Sequence, residues 1–72
     1  MIALKILKLL NEKPRLSPIL IASELKTSTQ QVRNVLSVLS ELKLVKTPSR
    51  GIYEITELGK YVLNKHIEFS LS

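Results

Sequence analysis

The chain has no cysteine and no aspartate, a single histidine, two glycines and one phenylalanine in 72 residues. Without cysteine there is no disulfide and no thiolate metal site. One histidine, His66, does not make a metal site without acidic neighbours or a second chain. No glycine-rich phosphate loop is present, and Glu54 and Glu57, the nearest thing to a carboxylate pair, fall on or beside a turn-rich stretch. The residues therefore predict no catalytic site, no metal and no cofactor. No long apolar run is present either. The stretch near the N-terminus is broken by Lys5 and Lys8 and is too short to span a bilayer. Nothing resembles a cleavable signal peptide. These absences point to a cytoplasmic protein with no membrane partner.

A chain of this length forms one domain, here 1–72, with a modest core. Its formal net charge is +5, and most of that is concentrated. Lys26, Arg33, Lys43, Lys46 and Arg50 face only Glu41 across residues 26–50. The rest of the chain is close to balanced. A local positive field suits nucleic acid, an anionic membrane or an acidic protein, and charge alone does not choose among them. The richness in Ile, Leu and Val, with Lys favoured over Arg, leans towards a thermophilic source.

Residues 2–13 predict a first helix, with Ile2, Ile6, Leu9 and Leu10 at helical spacing and Ala3 and Leu7 beside them. The apolar arc is wider than one small core needs. It reads as a fully buried helix, as a helix that also packs on a second subunit, or as a membrane-surface helix. Pro14 ends it. Arg15-Leu16 is an extended link able to add a minimal strand. Ser17 as cap and Pro18 at the first helical position open a short helix over 18–26. A three-residue turn leads to a longer helix, starting at Thr29 behind a cap at Ser28, with Gln31 placed for a capping box.

That longer helix, 29–42, has two faces. Val32, Val35, Leu36, Val38, Leu39 and Leu42 form one half. Thr29, Gln30, Arg33, Asn34, Ser37, Ser40 and Glu41 form the other, and its first three turns carry no carboxylate. Arg, Asn, Gln, Ser and Thr are the side chains whose donors and acceptors match base edges in the major groove. The bland alternative is a solvated face poor in charge. After Lys43 the period changes to alternation. Leu44–Thr47 and Ile52–Thr56 read as two strands joined by Pro48-Ser49-Arg50-Gly51, with Arg50 at the tip and Tyr53 and Ile55 facing the helices. Thr56 caps a last helix from Glu57 to Lys65, with Leu58, Tyr61, Val62 and Leu63 available for burial. In the tail, 66–72, Ile67, Phe69 and Leu71 alternate with polar residues. This suits an extended segment or one more helical turn, and either a partner surface or packing on the chain's own core.

Over residues 15–63 the order and the motifs resemble the winged helix-turn-helix family of DNA-binding domains. Leu20-Ile21-Ala22-Ser23-Glu24-Leu25-Lys26-Thr27-Ser28 is similar to that family's "LAxxLGxS" entry. Leu42-Lys43-Leu44-Val45 resembles its "xGLV" step, and Tyr53-Glu54-Ile55-Thr56-Glu57-Leu58-Gly59 its "YxLTxxG" closure. Lys26 and Lys43 stand where the family has glycine.

The fold class implied is α+β, mostly α: a winged helix-turn-helix with a helix, a short strand, two helices, a strand, the wing, a returning strand and a helix. What the resemblance implies for function is a sequence-specific, double-stranded DNA-binding regulator of transcription, associated with the nucleoid. Helix 29–42 would lie in the major groove. Thr29, Gln30, Arg33, Asn34 and Ser37 would read bases. Lys26, Thr27, Ser28 and Lys43, with Lys46, Ser49 and Arg50 on a wing over 46–52, would hold the backbone or the minor groove. The chain ends soon after the last helix, so no small-molecule effector domain is expected. A homodimer is expected, formed through helix 2–13 and the tail 64–72. The alternatives are a winged-helix module for protein–protein contacts, and a chromatin-like protein that coats DNA without preference.

Overall fold

A computed structural model describes the backbone of residues 2–71 and the side chains of residues 2–67. Four helices and one two-stranded antiparallel sheet make an α+β, mostly helical chain: α1 (Ile2–Glu12), α2 (Pro18–Leu25), α3 (Thr29–Glu41), β1 (Val45–Ser49), β2 (Ile52–Ile55) and α4 (Glu57–Leu71). The strand expected at Arg15-Leu16 is a single bridge. Leu16 and Tyr53 exchange both backbone hydrogen bonds, at 3.2 and 2.9 Å, and no ladder continues from them.

The helix starts follow from local chemistry. Ser17 Oγ accepts from the Leu20 amide at 3.3 Å with Pro18 next in the chain, and Ser28 Oγ accepts from the Gln31 amide at 3.1 Å. The capping box at Ser28 is only half made. The Gln31 side chain accepts instead from the Thr27 hydroxyl at 2.6 Å.

Both α2 and α3 end in the same way. Lys26 (φ 55°) and Lys43 (φ 64°) are left-handed. The Thr27 amide donates to Ala22 O and the Lys26 amide to Ser23 O. The Leu44 amide donates to Leu39 O and the Lys43 amide to Ser40 O. These are paired Schellman closures, normally made with glycine.

In the hairpin, Val45 faces Ile55, Lys46 faces Glu54 and Ser49 faces Ile52. Between them Thr47 and Pro48 stand against Tyr53 alone, so β1 carries a bulge. It reaches two residues further than Leu44–Thr47, because a bulge tolerates Pro48, which has no amide to donate. Arg50 and Gly51 (φ 77°) are left as the turn.

The core runs from Ile6, Leu7, Leu9 and Leu10 of α1 through Ile21 and Ala22 to Val32, Leu36 and Leu39 of α3. Leu16, Leu44, Val45, Ile55 and Leu63 close it. No polar or charged side chain is buried among the described residues. Gly59 sits where α4 meets this core. A Cβ there would overlap the Leu44 carbonyl oxygen and stand 2.7 Å from Ile55 Cγ1.

Four expected core residues are outside. Val38 of α3 and Leu42, the cap at its C-terminal end, are 56% and 57% exposed, and Leu58 and Tyr61 of α4 are 48% and 59% exposed. Each helix lies on the core along a stripe narrower than its apolar arc. Val38, Leu42, Leu58 and Tyr61 are on the flanks. The tail is helical rather than extended, since α4 continues to Leu71. The surface expected at Phe69 and Leu71 lies outside the described side chains.

Candidate self-association surface

Apolar side chains exposed on a small chain are concentrated on particular helices. α2 shows Ile19 and Leu20, α3 and its C-terminal cap show Val38 and Leu42, and α4 shows Leu58, Tyr61 and Ile67. Tyr61 is covered on one side by Lys65, whose ammonium lies 5.5 Å from the ring centroid.

Where α1 packs on α4, the two helices leave a groove of about 310 Å³. Leu4 lines it from α1, and Leu63 and Ile67 line it from α4. Lys5, Lys8 and His66 complete the lining. The spacing of Leu63 and Ile67, one helical turn apart, sets both beside the first turns of α1. Leu4 is half-buried and Ile67 is 42% exposed. Apolar surface is thus brought together here from both ends of the chain.

The residues expected to contact DNA lie outside this groove. Gln30, Arg33, Asn34 and Ser37 are exposed on α3, and Thr29 at its first turn is half-buried. Gln30 Nε2 donates to Asn34 Oδ1 at 3.0 Å. Thr27 and Ser28 serve the start of α3, as described. Lys26 and Lys43 occupy the two left-handed closures. Lys46 is paired at 3.4 Å with Glu54, which also takes Arg15 at 3.5 Å. Ser49 and Arg50 are exposed at the hairpin end. Arg33 and Arg50 enter no ion pair among the described residues.

Leu4, His66 and Ile67 fall within the helix 2–13 and the tail 64–72 expected to pair, although the sequence does not single out Leu4 and leaves the tail open between an extended segment and a helical turn. The signal was present in the i, i+4 spacing of Leu63 and Ile67, once the tail is read as helix. Among the described residues no helix is long and apolar enough to cross a membrane.

A family model described as the O-methyltransferase dimerisation domain matches residues 1–65. No curated protein and no solved structure matches. The match corrects the winged helix-turn-helix resemblance, and with it the expectation of a DNA-binding transcription regulator, since the family found is a different one. The physical reason is that short apolar and turn motifs such as those at 20–28 and 53–59 report how helices and a hairpin pack, not what the outer face of α3 touches. A polar, carboxylate-poor helix face is also ordinary surface. The expected homodimer agrees with the match.

Proposed function

The chain belongs to the O-methyltransferase dimerisation domain family, and from that premise we propose that it pairs with a second copy of itself through the face where α1 meets α4. The family match carries this reading. The geometry supports it, because Leu4 and Ile67, set on either side of the buried Leu63, form an apolar strip that the single chain leaves partly in water. Covering such a strip is favourable by roughly 25 cal/mol for each Å² removed from water.

A stable pair covers about 800 Å² on each copy. That is roughly a sixth of the 4978 Å² exposed by this chain. The groove is therefore the centre of the interface rather than all of it. A two-fold axis would set the strip of one copy against the same strip of the other. In this reading the chain supplies association and no chemistry of its own.

Sedimentation equilibrium of the full chain over about 1–100 µM tests this by mass action. The expected result is a monomer–dimer equilibrium. Ile67→Glu and Leu4→Glu shift it to monomer, with helical circular dichroism retained, while Ile19→Glu on the outer side of α2 leaves it in place. A monomer at every concentration would sink the proposal.

A further inference from the structure

Two cations stand in the proposed interface: Lys5 and Lys8 line the groove beside His66, and no carboxylate among the described side chains does. Lys5 and Lys8 enter no ion pair among the described residues. The nearest acidic group along α1 is Glu12, which lies in the neighbouring hollow with Lys5, Lys8, Leu9 and Leu25.

A two-fold axis through this face doubles whatever stands on it. Two copies would bring four lysine ammonium groups and two imidazoles around a common apolar strip. Like charges set together in a partly dehydrated interface repel, and the repulsion is screened only as far as mobile ions can enter. A bound anion removes it directly. Each ammonium offers three donors and the imidazole at least one, enough to surround an oxyanion carrying several acceptor atoms.

Resting on pairing through α1 and α4, we infer that the paired groove is a binding site for a small, free, multivalent oxyanion of the phosphate class, shared between the two copies, and that association is linked to its binding. An anion held only by the pair tightens association in proportion to one plus its concentration over its dissociation constant, about tenfold at ten times that constant.

The test is sedimentation of the full chain in sodium chloride and in sodium pyrophosphate at matched ionic strength and pH. Pyrophosphate is expected to tighten the dimer about tenfold near saturation. Lys8→Gln and Lys5→Gln, both at exposed positions, are expected to abolish that difference while the dimer persists in chloride. An equal dimer constant in both salts, or tightening that survives both substitutions, overturns the shared site and leaves the pairing proposal standing. No dimer in either salt overturns both. Flotation with phosphatidic acid vesicles, without tightening by pyrophosphate, would put the phosphate on a lipid and overturn the free-anion site.

Discussion

Thr56 Oγ1 donates to the carbonyl oxygen of Lys43 at 2.6 Å and accepts from the Gly59 amide at 3.0 Å. One hydroxyl thus ties down the left-handed end of α3 and caps α4, thirteen residues apart in the chain. The Thr56 amide adds to the same seam by donating to Leu44 O at 3.1 Å. Thr56→Val keeps the shape and loses both side-chain bonds. It is expected to cost about 1–3 kcal/mol in chemical denaturation, and Thr56→Ser should recover most of that. An unchanged denaturation midpoint for the valine variant would remove the seam from the account.

Lysine at φ 55° and 64° is strained at Lys26 and Lys43. The left-handed conformation costs a residue with a Cβ about 1–2 kcal/mol, part of which glycine returns through its greater freedom in the unfolded chain. Lys26→Gly and Lys43→Gly should therefore each stabilise by about 0.5–1 kcal/mol. In a domain of this size that is a rise of several degrees in Tm, about 4–8 °C for each kcal/mol. A fall in Tm for both variants would mean that the lysine side chains contribute more than their backbone strain costs.

Gly59 permits the close approach of α4 to Leu44 and Ile55. Its neighbour on one side is backbone, which does not rotate away as a side chain would. Gly59→Ala is expected to destabilise by about 1–3 kcal/mol despite the better helix propensity of alanine. Thermal unfolding decides the sign. A stabilised variant would show that α4 shifts outward freely.

Glu54 receives both Arg15 and Lys46, but at 3.5 and 3.4 Å and with cations largely in water. Exposed pairs of this kind contribute little. Glu54→Gln should change stability by less than about 1 kcal/mol, and less still in high salt. A larger loss, insensitive to salt, would assign the carboxylate a role in holding the Arg15 link against the sheet.

Local features were legible in the sequence because their causes are local. Ser17, Ser28 and Thr56 cap helices by side-chain chemistry that acts over three residues, and Pro14 and Pro18 punctuate through their own rings. The alternation after Lys43 marked the hairpin, although the bulge at Thr47-Pro48 moved its first strand, because register depends on the partner strand. Burial on the flanks was less legible. Val38 and Leu58 sit on apolar arcs that helical spacing alone assigns to the core, and only the packing angle of each helix decides otherwise. The two segments that make the α1–α4 groove were expected to pair, but that Leu4 and Ile67 meet in it was not legible, since they are separated by almost the whole chain. The polar residues of α3 misled for the opposite reason. Their chemistry fits base edges, but suitability for a partner does not reveal which partner a surface meets.

The bulge in β1 has a further bearing on how copies can meet. β2 is held on one side by β1 and on the other by Leu16. The outer margin of β1 could in principle template another chain, but Pro48 interrupts its donors and the displaced register bends it. Irregular, proline-bearing margins of this sort resist open-ended strand-by-strand stacking. The hairpin thereby discourages runaway polymerisation, and the proposed pairing through helices would close after two copies.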